Sequence, residues 1–216
     1  TRFWHYADQQ AALTDALRLS RGMSYKNAMA GLPAGGGKAV ILADTNRSKP
    51  RELLDAFARA VDSLGGRYIT AQDVGMSEDD MVTLSQTTQH VAGLPGQGGD
   101  PGPYTARGVY LGVKAAAKRA LGSEDVKGMH IAIQGVGSVG GGLARYLASE
   151  GAKLTLADVN ESRAAALAAE LGAETAPTEA IMAVEADIFS PCALGAILTE
   201  ASVASLRVKA VAGGAN

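Results

Sequence analysis

Strand-like runs that alternate with helix-like stretches along 216 residues predict an α/β fold divided into two domains. The length suits two compact domains. Hydrophobic residues make up 47% of the chain and aromatics only 5%. Such a mix, rich in Ala and Gly, suits helices packed closely on a parallel sheet. Between positions 93 and 103 stand five glycines and three prolines, which neither a helix nor a central strand accommodates. The break is expected there, with domains at 1–104 and 105–216.

The first helix is expected over residues 8–29. Leu13, Ala16, Leu17, Ser20 and Met23 recur at three- and four-residue steps, and Asp8 suits the N-cap. Pro33 and the glycines at 35, 36 and 37 break it, and the apolar run 39–42 reads as a short buried strand. In the next helix Leu53, Phe57, Ala60, Val61 and Leu64 share a face. Ser48 suits its cap, Pro50 its first turn and Gly65-Gly66 its end. Residues 68–71 read as a strand and 77–84 as a helix. Beyond the break come a long helix over 106–121, strand 129–134, helix 138–150, strand 153–157 and helix 161–171. Shorter strands follow at 187–189 and 208–212. Strands alternating with helices in this way run parallel through right-handed crossovers.

Net charge is −2, with 20 basic and 22 acidic residues interspersed. No basic stripe argues for nucleic acid, and no apolar run reaches the roughly 18 residues needed to span a membrane. Cys192 is the one cysteine, so no internal disulfide forms, which fits a reducing cytoplasm. Thr1 is not a methionine, and Asn216 follows directly on a strand-like run. Both ends are therefore expected to be cut from a longer chain.

Gly135-Val136-Gly137-Ser138-Val139-Gly140 reads G-x-G-x-x-G. It follows the apolar strand Ile131-Ala132-Ile133 and opens a helix carrying Leu143 and Leu147. Asp158 ends the next strand roughly 20 positions on, the spacing of a dinucleotide-binding βαβ unit. Together these predict a Rossmann-type, doubly wound second domain. Gly135 permits the tight turn, Gly137 lets backbone approach a pyrophosphate at the helix N-terminus, and Gly140 lets helix and strand pack closely. Asp158 can accept from ribose hydroxyls and would repel a 2′-phosphate, which favours NAD over NADP. Arg163, nearby, is the one residue that argues the other way.

Lys26 lies late in the first helix and Lys38 follows three glycines at the start of a strand. The turn between them can fold both towards one cleft, where two ammonium groups would lower at least one pKa. A lysine tuned to about 7–8 serves as a base, while the other holds a carboxylate. Three glycines suggest a backbone leaving room for a ligand. Asp73 ends a strand-like run and precedes Gly75, and could hold a substrate ammonium.

Met23-Ser24-Tyr25-Lys26-Asn27, Gly31-Leu32-Pro33-Ala34-Gly35-Gly36-Gly37-Lys38 and Gln72-Asp73-Val74-Gly75 resemble the glutamate/leucine/phenylalanine/valine dehydrogenases, the branched-chain and aromatic types most. The resemblance runs the length of the chain. It implies NAD-dependent reversible oxidative deamination of an apolar L-amino acid to a 2-oxo acid and ammonia by a homo-oligomer. It further implies that Lys26 binds the α-carboxylate, Lys38 activates the water that attacks the imino carbon, and Asp73 holds the amino group. Ala71 and Asn216 would line the substrate side. Thr105, Cys192, Ala193, Ala215 and Asn216 would contact the nicotinamide end. Gln72 and Met76 stand where family members often carry Glu and Thr. The family also has a strand-rich segment before the position of Thr1 and a further portion after Asn216, and closure about residues 93–103 would exclude water. Two other readings remain: a glutamate dehydrogenase, whose extra cation would precede Thr1, and a non-catalytic NAD-binding protein. His5, His90 and His130 show no spacing of metal ligands.

Overall fold

The computed structural model describes every residue except Thr45, Arg47 and Asn216. The chain forms two compact units, Thr1–Pro101 and Gly102–Asn216. No helix among the described residues is long and apolar enough to cross a membrane.

The first unit begins with β1 (Arg2–Trp4), a strand too short to announce itself by alternation. Helix α1 (Gln9–Met29) follows, then β2 (Val40–Leu42), α2 (Arg51–Asp62) and α3 (Glu78–Ser85). Strands β1 and β2 are parallel, with Arg2 opposite Val40. Asp8 caps α1 through the Ala11 N–H. The expected apolar face of α1 is displaced, however: Ala12 and Leu19 are buried, whereas Leu13 and Leu17 are 51% and 62% exposed. Two three-residue strands offer α1 too little surface to cover both stripes. On α2 Leu54, Ala58 and Val61 are buried; of the predicted face, Val61 is among them, Leu53 and Phe57 pack partly buried on the same core, and Ala60 and Leu64 are exposed. Ser48 does not cap it, since Pro50 occupies the cap position and the Ser48 N–H goes to Asp44. Ser77 caps α3 in a reciprocal box with Asp80.

Residues 68–71, read as a strand, form only an isolated bridge, Thr70 to Val91. The run is nevertheless tied down, because the Phe3 N–H donates to Val74 O and the Thr70 N–H to His90 O. β1 therefore lies between β2 and the segment carrying Asp73. Phe3, Ile41, Leu54, Met76, Met81 and Leu84 form the core of this unit.

The second unit opens with α4 (Gly102–Leu121), which begins four residues earlier than predicted because Pro103 sits in its first turn, where its missing N–H costs nothing. Then come β3 (His130–Gln134), α5 (Ser138–Ser149), β4 (Lys153–Ala157), α6 (Glu161–Leu171), β5 (Glu174–Thr175), a 3₁₀ turn Ile181–Ala183, β6 (Ile188–Pro191), α7 (Glu200–Ser205) and β7 (Ala210–Val211). The sheet order is β5-β4-β3-β6-β7, and every pairing is parallel. Side chains alternate across it. Ile131 and Ile133 enter a core with Val113, Leu143, Leu147 and Leu167, while Ala132 faces the opposite way with Ile181 and Phe189. Both faces are covered, which is why β3 reads as a continuous apolar run. The order reverses at β3, whose successive neighbours are β4 and then β6, so a ligand crevice is expected at the carboxyl ends of β3 and β6.

Candidate active site: a dinucleotide turn and a lysine–aspartate cluster

The glycine turn lies at that reversal. Gly135 takes φ 86°, a left-handed conformation that favours glycine. A Cβ there would stand 2.7 Å from Ala193 N, and one on Gly140 would meet Gly135 O at 1.8 Å. The turn is thus closed against its own carbonyl and against the residues following β6. Gly137 differs, because a Cβ there meets nothing within 4 Å. It opens α5 without a side-chain cap, whereas α1, α3, α6 and α7 are capped by their own side chains. Open space and an uncapped helix start form a cradle that fits an anionic pyrophosphate. Ser138 and Val139 form the first turn of α5.

Asp158 is 8% exposed. Its Oδ2 accepts the Val136 N–H at 2.8 Å and its Oδ1 the Asn160 N–H at 2.9 Å. The carboxylate therefore secures the glycine turn as well as keeping lone pairs for a ribose. Arg163 Nη1 lies 3.9 Å from Oδ2. Asp158, Val159, Ala165, Thr175 and Pro177 border a cavity of about 350 Å³, which suits an adenosine moiety.

Cys192 and Ala193 follow β6, and the Cys192 N–H bonds Gln134 O at 2.7 Å. Burial pushes the Cys192 thiol up from its usual pKa, against weaker hydrogen bonding. The Ala215 N–H is held by Pro191 O at 2.9 Å. Gly214 packs where a Cβ would lie 3.2 Å from Val109 and Val139. Thr105 is exposed in the first turn of α4, beside Ala106, which packs on Gly142. Asn216 lies outside the described residues.

In the first unit Lys38 Nζ is 2.9 Å from Asp73 Oδ2, with Lys38 only 13% exposed. Arg2 Nε donates to the same oxygen at 3.1 Å. Burial works against ionised Asp73, but the hydrogen bond and charge of Lys38, followed by those of Arg2, outweigh it. Its carboxyl is held below the usual carboxylate range. The partner that dominates the surroundings of Lys38 is thus a carboxylate, not the second ammonium the sequence suggested. Lys26 is exposed late in α1 and has no ion pair with this cluster among the described residues. It shares the helix stripe of Asp15 and Gly22, which are three and one turns back. Ala71 directly precedes Gln72 in the segment hydrogen-bonded to β1, and Thr1 N donates to its carbonyl at 2.6 Å.

The middle glycine of the triplet has a structural cause that was not anticipated. A Cβ on Gly36 would stand 2.0 Å from Ser20 O and 2.3 Å from Ser24 N, so the loop is seated directly on α1. Gly37 packs on the Tyr68 ring. The neighbouring cavity of about 480 Å³ takes in Met23, Asn27 and Tyr68 rather than either lysine. Of the two unusual neighbours of Asp73, Met76 is core at 4% exposure. Gln72 Oε1 is buried without a hydrogen-bond partner among the described residues.

Arg2 was missed by sequence reasoning. It carries no motif, and its partners Asp15 and Asp73 are distant in sequence. The only signal is its place directly before the apolar pair Phe3-Trp4.

A family model described as "Glu/Leu/Phe/Val dehydrogenase, dimerisation domain" matches residues 1–90. Another, "NADP oxidoreductase coenzyme F420-dependent", matches residues 130–190. Leucine dehydrogenase of Geobacillus stearothermophilus is 48% identical, covering 100% of this chain and 60% of that protein. L-tryptophan dehydrogenase of Nostoc punctiforme is 46% identical, over 100% of this chain and 61% of its own length. The crystal structure of L-tryptophan dehydrogenase from Nostoc punctiforme matches with a TM-score of 0.73 at 43% identity, over 100% of this chain and 61% of that one. A hetero-hexameric glutamate dehydrogenase from Thermus thermophilus shares the fold, with a TM-score of 0.80 at 22% identity, over 100% of this chain and 58% of that one. The chain spans 60–61% of the length of these curated relatives.

Proposed function

We propose that the chain belongs to the glutamate/leucine/phenylalanine/valine dehydrogenase family and carries the substrate and cofactor sites for NAD-dependent oxidative deamination of an apolar L-amino acid. The observation that carries this reading is the half-buried ion pair of Lys38 with Asp73. A lysine can serve as a base and a carboxylate can hold an ammonium, and the second unit bears the glycine turn. Leucine, tryptophan and valine dehydrogenases at 44–48% identity support an apolar substrate.

In this reading Lys26 holds the α-carboxylate, with Ala71 on the substrate side. Asp73 accepts a hydrogen bond from the amino group. Lys38 takes a proton from the water that adds to the imino carbon, and the carbinolamine then releases ammonia to leave the 2-oxo acid. Thr105, Cys192, Ala193 and Ala215 stand at the nicotinamide end, with Gly135, Val136, Gly137, Ser138, Val139 and Gly140 at the pyrophosphate and Asp158 at the ribose. When bound, the dinucleotide supplies the acceptor for the α-hydride. The negative charge of Asp158 supports NAD over NADP.

We read the protein as a cytoplasmic homo-oligomer. Support comes from the single cysteine and from the dimerisation description of the matching family model. The test is NADH formation with leucine, valine, phenylalanine and glutamate, alongside NAD titration calorimetry. Turnover with the apolar amino acids is expected. Preference for glutamate would move the protein to that branch, and NAD binding without turnover on any substrate would overturn the reading.

A further inference from the structure

Asp73 is approached by cations on one oxygen only. Lys38 and Arg2 both meet Oδ2, and among the described residues no donor reaches Oδ1. The backbone arranges this. Arg2 is paired with Val40, two residues past Lys38, and its N–H bonds Ala39 O. Its other strand neighbour, Phe3, bonds Val74 next to Asp73. β1 thus holds Arg2 between the lysine and the aspartate.

The far end of Arg2 is fixed as well. Its Nη1 donates to Asp15 Oδ2 at 2.9 Å, an oxygen that also accepts the Tyr6 hydroxyl at 2.6 Å. Arg2 is 13% exposed. A planar guanidinium bridging two carboxylates has little freedom left, which a lysine in its place would keep.

We propose that Arg2 is a positioning residue: with Lys38 it occupies one oxygen of Asp73, leaving the other for the amine, and it supplies the counter-charge when Lys38 is neutral. The inference rests on the dehydrogenase reading above. A base must lose its proton to act, and at that moment Lys38 no longer balances Asp73. A guanidinium does not deprotonate in proteins, so Asp73 stays ionised and the proton is not captured there. Burial opposes the charge on Arg2, yet Asp73 and Asp15 hold its pKa above the ordinary value. Among the described residues, the groups that face Asp73 are Lys38 from the segment entering β2, Arg2 from β1 and the Thr1 nitrogen on Ala71 O. From α1, Asp15 reaches it only through Arg2.

The experiment follows the Asp73 side-chain carboxyl by carbon-13 NMR, assigned with Asp73→Asn. In Lys38→Ala, which stands in for neutral Lys38, the carboxyl should still titrate in the ordinary carboxylate range. Adding Arg2→Gln should raise its midpoint by roughly one unit, a tenfold gain in proton affinity. An unchanged midpoint overturns the counter-charge role. Arg2→Lys, which keeps the charge and is the less disruptive variant, should leave the midpoint near wild type. Its kcat should fall about tenfold with KM for NAD unchanged, and an undiminished kcat overturns the positioning role. A wild-type chain that forms no NADH counts against the dehydrogenase reading alone, because the NMR titration still decides whether Arg2 holds Asp73.

Discussion

Val136 donates its backbone N–H to Asp158 Oδ2 at 2.8 Å, joining the glycine turn after β3 to the acidic end of β4. The residue expected to hold the ribose therefore also shapes the loop expected to hold the pyrophosphate. Asp158→Ala leaves the buried Val136 N–H unpaired, since Val136 is 4% exposed. Stability should drop by about 1–3 kcal/mol, read by urea denaturation, and NAD affinity should fall beyond what loss of ribose contacts alone predicts.

The glycines at 137 and 140 separate binding from folding. Gly140→Ala places a Cβ 1.8 Å from Gly135 O, so the turn must deform and the melting temperature should fall. Gly137→Ala meets no atom within 4 Å at a φ of −69°, outside the left-handed region that favours glycine. Its melting temperature should match wild type while NAD binding by calorimetry weakens at least tenfold, because the methyl occupies the space of the phosphates. Equal NAD affinity for Gly137→Ala and wild type would place the pyrophosphate elsewhere.

Lys38→Ala should remove amino-acid-dependent NADH formation, by about 100-fold or more in kcat. NAD affinity should be unchanged, since every residue assigned to the dinucleotide belongs to the second unit. Stopped-flow absorbance and calorimetry on one preparation check both halves.

Asp73 sets an acid limit on stability. Its folded pKa is depressed, so the unfolded chain binds more protons around that carboxyl. The stabilisation is fully present above the unfolded value of about 3.9 and is lost as pH falls through the lower folded value. Asp73→Asn strands Lys38 and Arg2 beside a neutral amide. It should cost about 1–3 kcal/mol at pH 7, discounted for partial exposure. The gap from wild type should narrow below about pH 4 in denaturant titrations, and a gap independent of pH would contradict the ion pairing.

Cys192 should be slow to react. Burial raises its thiol pKa, so thiolate is scarce near neutrality. Alkylation of the folded protein at pH 7 should be at least about tenfold slower than after unfolding in urea, and should accelerate with rising pH.

The nucleotide half was legible because its information is local. A strand, a glycine turn, a helix and a second strand follow one another, and steric demands on single backbone positions write the glycines into the sequence. Lys26, Lys38 and Asp73 were legible as residue types, and their roles came from family resemblance. Their arrangement was not legible. Periodicity assigned α1 the wrong buried face and α2 only part of the right one, since which stripe is covered depends on how much sheet lies opposite. β1 has three residues and leaves no alternation to read. Arg2 reaches Asp73 across most of the first unit, and an ion pair between distant positions has no sequence period. What the sequence by itself determined was therefore the chemistry available: a glycine turn opening a helix, two lysines and a carboxylate. Only the tertiary structure decided that Lys38 meets Asp73 rather than Lys26, and that Arg2 shares the same oxygen. β1 carries that decision, because its hydrogen bonds to both β2 and the Asp73 segment bring residues far apart in the chain within ion-pair distance.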